Sequence, residues 1–212
     1  MKSSLFVSLL SLLLCVSACA PGIRSGYKRA EQTTIRKSEL PPMIPESSEL
    51  RKFHMEITFG KRNFSGLLLL RQQADSSRIL FTTHFGLTIF DLAMDKNSYE
   101  IRQCIPPLHK KQLFNLLHRD LTVLFGQQLA DQNKAIVYEN NKKQNTIVYK
   151  LKNTEAKGHY RKQLSTNTVD KITFGSILGK TDISLQQTSQ SETDSIVVSH
   201  PLLKLRFSIT AF

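Results

Sequence analysis

The segment "KFHMEITFG" at residues 52–60 decides the fold. Its apolar residues alternate with polar or charged ones, and they are Phe53, Met55, Ile57 and Phe59. This period of two is typical of a β-strand with one buried face. Segments of similar composition follow, separated by short polar turns, at 64–72, 77–83, 86–94 and 98–104. The spacing predicts an antiparallel meander.

Two features predict what covers this sheet. Four consecutive leucines at 67–70 break the alternation, so both faces of that strand should be covered, by another element or by a ligand. Further along, leucines recur at helical spacing up to Gly126, which stands where a left-handed cap is expected; they are Leu113, Leu117, Leu121 and Leu124. We therefore predict a covering helix around 108–125, the alternative being a helix on a membrane surface.

Strand-like segments return after the helix. Residues 135–151 have the pattern of a hairpin, and further apolar–polar segments lie at 159–164, 169–177, 181–187, 194–200 and 202–209. The expected fold class is mainly β (α+β), a curved antiparallel sheet with one helix. Residues 49–212 have the size of a single domain.

The N-terminus has the features of a lipoprotein signal peptide at 1–18. One lysine precedes an apolar run that is shorter than the ~20 residues of a membrane-spanning helix, although a transmembrane anchor is the alternative. The run ends in "VSAC", which resembles the bacterial lipobox, and the resemblance implies that Cys19 is diacylated and becomes the new N-terminus. Two acyl chains anchor a protein stably to a bilayer. Ala20 stands where an aspartate would retain a lipoprotein in the inner membrane, so we expect the outer membrane, facing the periplasm.

Residues 19–48 are expected to be the lipid anchor and a flexible tether, because they combine prolines and polar residues without apolar periodicity. Cys104 would then be the one remaining thiol, and its apolar neighbours favour a small buried residue.

The formal charge of +12 indicates an anionic partner or simply a basic solvated surface. An exported chain rarely meets nucleic acid, so anionic lipid headgroups are the favoured partner. Nine cations between 134 and 171 outline a candidate anion-facing edge, although lysines at strand edges also block aggregation.

Motifs of catalysis and metal binding are near misses. The stretch "FGSILGKTD" at 174–182 has three residues between Gly175 and Gly179, whereas a Walker A loop needs four, so it is interpreted as a strand and turn. The six histidines include no pair at one-turn spacing, and no nucleophile elbow occurs. We expect no metal, no cofactor and no enzymatic activity. An envelope hydrolase remains as an alternative, because catalytic triads are recognised by geometry.

The stretch from Phe64 through "RILFTTHFGLTIFDLAM" (78–94) into the helix resembles LolB, the outer-membrane lipoprotein receptor, and its relatives. The resemblance implies a half-open barrel closed by helices, with an apolar cavity for acyl chains. It also implies a function, the receipt of lipoproteins from a periplasmic LolA-type carrier and their insertion into the inner leaflet of the outer membrane. In that family a large apolar residue before a glycine protrudes from a turn and enters the membrane; here Phe85 occupies that place, and His84 replaces the usual proline.

Residues on one face of several strands are predicted to line the cavity, namely Leu68, Leu70, Leu80, Phe90, Leu92, Phe174 and Leu205. A register error of one residue would reverse such an assignment. The alternative is a non-enzymatic envelope scaffold or interaction lipoprotein whose barrel is filled by its own side chains.

Overall fold

A computed structural model describes residues 27–73, 76–140, 145–152, 157–176, 179–187 and 194–212 of the chain. Within these residues there are thirteen strands and one α-helix, α1 (Lys111–Leu124). The strands are β1 (Tyr27–Arg36), β2 (Arg51–Phe59), β3 (Arg62–Gln73), β4 (Ser76–Thr82), β5 (Thr88–Asp95), β6 (Tyr99–Cys104), β7 (Gln132–Asn140), β8 (Thr146–Leu151), β9 (Gly158–Gln163), β10 (Thr168–Ser176), β11 (Gly179–Gln187), β12 (Asp194–His200) and β13 (Leu205–Ala211).

All described strands belong to one antiparallel sheet in the order β1-β7-β8-β9-β10-β11-β12-β13-β2-β3-β4-β5-β6. The sheet does not close, because β1 and β6 are its two edges. The last strand, β13, returns to pair with β2, so the segment at 52–60 lies in the middle of the sheet. The prediction of a mainly β fold with an antiparallel meander over β2–β6 is confirmed.

One face of the sheet carries the apolar core. Met55 and Ile57 on β2 are buried, and the intervening Glu56 is exposed, as the period of two predicts. Cross-strand pairing continues this face from Leu68 on β3 to Phe81 on β4 and Phe90 on β5. The core is therefore built by residues that stand opposite each other across several strands.

Helix α1 ends in the way its sequence indicates. Gly126 has a positive φ of 66°, its N–H donates to the carbonyl of Val123, and the N–H of Gln127 donates to the carbonyl of Thr122. These two bonds form a Schellman motif, which a glycine in the left-handed conformation favours. The local signal thus fixes where the helix stops.

The tether prediction is wrong for residues 27–48. Residues 27–36 form strand β1, which pairs with β7, and a 3₁₀ turn follows at Lys37–Glu39. Ile35, Leu40 and Ile44 are buried in the core, and the backbone N–H of Ile44 donates to the carbonyl of Leu124 at 3.1 Å. Edge pairing and these three apolar side chains hold the segment in place. Residues 19–26, including Cys19, lie outside the described residues.

Candidate functional site

The candidate site begins with an apolar face inside the sheet. Six of the seven residues predicted to line a cavity are buried, and they are Leu68, Leu70, Phe90, Leu92, Phe174 and Leu205. Register explains four of them, because Leu68 and Leu70 stand opposite Phe81 and Ile79, which in turn stand opposite Phe90 and Leu92. These side chains therefore share one face.

Leu80 is the exception, and its assignment to the lining is wrong. It pairs with Leu69 on β3 and Asp91 on β5, so it lies on the opposite face from Ile79 and Phe81. Its side chain is half-buried there. The prediction placed Leu80 on the wrong face, as a register error of one residue within β4 would do.

Helix α1 packs its apolar side chains against this face. The rings of Phe114 and Phe90 meet edge to face, with centroids 5.8 Å apart and an interplanar angle of 87°. The apolar space between helix and sheet is only about 10 Å³, and it is lined by Ile57, Phe90, Leu108, Leu113, Phe114, Leu117, Leu205 and Phe207. This is roughly the room of one water molecule. In this conformation the protein's own side chains fill the space between α1 and these strands.

Farther along α1, where Leu121 and Leu124 are also buried, the contact with the sheet includes polar groups. His200 on β12 donates from Nε2 to Asp120 Oδ2 at 2.6 Å, and its Nδ1 lies 3.1 Å from Thr181 Oγ1 on β11. Arg119 donates to the same Thr181 oxygen at 2.9 Å, and its guanidinium lies 4.8 Å from the ring centre of Phe174. Burial raises the pKa of Asp120, against the hydrogen bond from His200 and the charge of Arg119, which lower it. We call these four residues, Arg119, Asp120, Thr181 and His200, the polar network.

The polar network resembles the hydroxyl–imidazole–carboxylate order of a hydrolase triad, but its burial argues against that role. The hydroxyl of Thr181 and the carboxylate of Asp120 are fully buried, and His200 is 3 % exposed. A nucleophile must reach a substrate carbonyl, and Thr181 is fully buried in this conformation. The network therefore serves to fix α1 to β11 and β12. Sequence reasoning missed it, since Asp120 and His200 are 80 residues apart and no spacing signal connects the members.

The connection between β4 and β5 leaves Phe85 exposed to solvent. Its side chain is 100 % exposed, and the neighbouring Leu87 is 62 % exposed. The turn is nevertheless ordered, because the N–H of Thr83 donates to the carbonyl of Leu87 at 2.8 Å and the N–H of Gly86 donates to the carbonyl of Thr83 at 3.0 Å. Gly86 has a φ of 84°, which glycine accommodates without strain. The expected exposure of Phe85 is confirmed, and its insertion into a membrane stays a prediction.

Two further contacts brace this turn against the sheet. The imidazole of His84 stacks on that of His54 on β2, with ring centres 5.6 Å apart and planes inclined by 12°. Gly66 on β3 allows the backbone of the turn to come close, because a Cβ at this position would overlap the carbonyl of Thr82. The turn therefore presents Phe85 from a defined position.

Within the described residues, one cation of the candidate anion-facing edge at 134–171 pairs with a carboxylate, and two others bind neutral oxygens. Arg161 donates two hydrogen bonds to Asp170, at 2.8 and 2.9 Å, and the ammonium of the buried Lys162 donates to the carbonyl of Glu39 at 2.7 Å. Lys152 donates to Gln32 Oε1 at 2.9 Å. Lys142 and Lys143 lie outside the described residues, and the remaining cations of the nine are Lys134, Lys150, Lys157 and Lys171. This edge is a weaker anion site than the charge count indicates.

Other chemistry has little support. Cys104 is half-buried, and burial raises the pKa of its thiol, which disfavours the reactive thiolate. Across the described segments, no group of three or more histidine, cysteine or acidic side chains could hold a metal ion. The same segments contain no helix that is long and apolar enough to cross a membrane.

Comparison with known proteins gives no family assignment. No protein-family model matches the chain, and no curated protein matches it closely enough to count as a relative.

Proposed function

We propose that this protein is a LolB-like lipoprotein that binds acyl chains and passes lipoproteins into a membrane. In this proposal Cys19 carries the lipid anchor, the body faces the periplasm from the outer membrane, and a LolA-type carrier supplies the cargo. The sheet forms a half-open barrel and α1 covers it. Apolar burial alone would drive the extraction, so neither a cofactor nor a metal is required.

The exposed turn of Phe85 is the observation that carries the proposal. A phenyl ring that is 100 % exposed on a hydrogen-bonded turn gains nothing from the fold, since it buries no surface. In a bilayer, burial of the same ring would contribute on the order of 2 kcal/mol to the free energy of membrane binding. Its rigid support by Gly66 and by the His54–His84 stack fits a ring that is pushed into lipid.

Acyl chains would enter between α1 and the sheet, and the helix would have to shift. The present space of about 10 Å³ does not hold a chain. The N-terminal half of α1 contacts the sheet through hydrocarbon, such as Leu113, Phe114 and Leu117. An acyl chain can replace such contacts at little cost, because apolar packing has no fixed direction. The polar network would hold the other half of the helix while the first half moves.

The proposal is tested by Phe85→Glu in a two-stage assay with a fluorescent fatty acid. We expect saturable probe binding equal to that of the unchanged protein, but transfer of the probe to vesicles about tenfold slower, since the inserted ring is lost. Phe212→Glu is the matched control, because Phe212 is also exposed, at 80 %, and the charge change is the same. Equal transfer rates for the two variants would contradict the role of Phe85.

A second candidate function is a scaffold or interaction lipoprotein with a filled interior. The tight space between α1 and the sheet favours it. The same assay separates the two candidates at its first stage. If the unchanged protein binds no fatty acid, and mass spectrometry finds no co-purified lipid, the interior is a packed core and the scaffold function is the better one.

A further inference from the structure

Four segments come together at the end of the sheet where β2 turns into β3. The N–H of Gly60 donates to the carbonyl of Lys204 at 3.0 Å, which joins the β2–β3 turn to the start of β13. The ammonium of Lys110, just before α1, lies 5.3 Å from the ring centre of Phe59. Leu202 contacts Gly179 so closely that a Cβ on that glycine would lie 2.5 Å from Leu202 Cδ1. The four segments are 59–63, 105–111, 179–180 and 201–206, and we call them the basic edge.

The basic edge carries positive charge that is mostly unpaired among the described residues. Its segments contain no aspartate or glutamate, and their cations are Lys61, Arg62, Lys110, Lys111, Lys180, Lys204 and Arg206. All seven side chains are exposed. Lys180 forms an ion pair with Asp182 at 3.0 Å, and none of the other six pairs with a carboxylate in the described part of the chain.

An apolar side chain stands among these charges. Leu202 is 76 % exposed on a 3₁₀ turn at Pro201–Leu203, between β12 and β13. Cations around an exposed apolar tip match the interface of a bilayer, where anionic headgroups lie above hydrocarbon. A soluble polyanion would use the charges but would have no use for the leucine.

We infer that the basic edge is a docking surface for bilayers rich in anionic lipid, with the cations bound to headgroups and Leu202 inserted beneath them. The inference goes beyond the proposed function, because it concerns headgroups and a different surface from the turn of Phe85. The β4–β5 connection leaves the same end of the antiparallel sheet as the β2–β3 turn and the β12–β13 connection. The register places the start of that connection level with His54, several residues from the β2–β3 turn, so the two surfaces are separate.

The test is co-sedimentation of the full chain carrying Cys19→Ser, so that no acyl anchor is attached. Vesicles contain phosphatidylcholine alone or a mixture with phosphatidylglycerol, and the difference in affinity between them isolates the headgroup contribution. We expect tighter binding to the mixed vesicles and a loss of the difference at high salt. Lys61→Ala/Arg62→Ala should weaken binding to the mixed vesicles by about 25-fold, at roughly fivefold for each cation.

Matched variants keep the test specific. Arg71→Ala/Lys96→Ala removes two exposed cations from β3 and from the β5–β6 turn, away from the basic edge, and should leave binding unchanged. Leu202→Ser should weaken binding to both kinds of vesicle by about tenfold. Leu164→Ser alters a leucine that is 45 % exposed in the β9–β10 turn and should have no effect. Thermal melting of each variant checks that the fold is intact.

Three results would overturn the inference. The first is equal affinity for the two kinds of vesicle. The second is an equal loss in the Lys61/Arg62 and the Arg71/Lys96 variants, which would indicate general charge attraction. The third is tight binding of soluble polyphosphate that depends on Lys61 and Arg62 but is unaffected by Leu202→Ser, which would assign the surface to a soluble polyanion. Because every variant keeps Phe85 and no fatty acid is used, the differences between the variants are separate from the outcome for the proposed function.

Discussion

Both halves of helix α1 bury apolar side chains, but only the C-terminal half adds a buried polar network within the described residues. The N-terminal half contributes Leu113, Phe114 and Leu117 to an apolar contact with β5 and β13. The C-terminal half contributes Arg119 and Asp120 to the buried polar network with Thr181 and His200. Apolar contacts are non-directional and tolerate repacking, whereas a buried carboxylate needs its partners at fixed distances. The comparison indicates which half of the helix can move and which cannot.

The largest expected effect is on the polar half. Asp120→Ala removes the acceptor of His200 Nε2 and the carboxylate beside Arg119, and it leaves buried polar groups unpaired. We expect the free energy of unfolding to fall by about 3–5 kcal/mol, as measured by urea denaturation. Glu100→Ala is the control, because Glu100 is exposed on edge strand β6. A loss below about 1 kcal/mol would mean that the network does not fix the helix.

The apolar half should respond differently to truncation. Phe114→Ala removes a ring that is 1 % exposed and contacts Phe90, so we expect a loss of about 3 kcal/mol in the free energy of unfolding. In the same variant the enlarged apolar space should bind the fluorescent fatty acid more tightly, which titration would show. Asp120→Asn should give no such gain. Equal probe binding in both variants would contradict the division of the helix into two halves.

Adjacent leucines on β3 separate the interior from the outer face. Leu70 is buried and stands opposite Ile79, whereas Leu69 is half-buried and stands opposite Leu80. Leu70→Gln should lower the free energy of unfolding by about 2 kcal/mol through a buried unpaired amide, and it should weaken fatty-acid binding. Leu69→Gln is the matched control, and it should lower the free energy of unfolding by less than half as much. If Leu70→Gln lowers stability and expression without changing probe affinity, the position is core only.

The smallest effect is a pH dependence that reports on Asp120. Burial raises its pKa in the folded state above the unfolded value of about 3.9. The folded state therefore binds the proton more tightly, and the contribution of this group to stability is complete below the unfolded pKa and is lost as the pH rises through the folded pKa. The free energy of unfolding of the unchanged protein minus that of Asp120→Asn should decline over this range, as measured by urea denaturation at several pH values. A difference that rises with pH would show that His200 and Arg119 outweigh burial.

Local signals in the sequence determined most of the fold. The period of two at 52–60 and at 202–209 gave β2 and β13, and the helical spacing before Gly126 gave α1. The same kind of signal gave the exposed turn, because Phe85 lies among threonines, a histidine and a glycine that favour a turn. Such patterns are readable because they depend only on neighbours along the chain.

Tertiary structure decided the features that depend on strand pairing and on burial. In β4, Ile79, Leu80 and Phe81 are all apolar, so alternation could not choose a face, and the pairing of Leu80 with Asp91 settled it. Residues 27–48 have few apolar side chains, and only the free edge of β7 and the pocket around Ile35, Leu40 and Ile44 ordered them.

The polar network and the basic edge have the same origin. The network joins Asp120 to His200, and the edge joins Gly60 to Lys204 through a backbone hydrogen bond between segments that are distant in sequence. A buried charge is stable only where its partners converge, and a charged surface exists only where separate turns meet. The sequence by itself determined the strands, the helix and the exposed ring, whereas the three-dimensional pairing determined which side chains could act together.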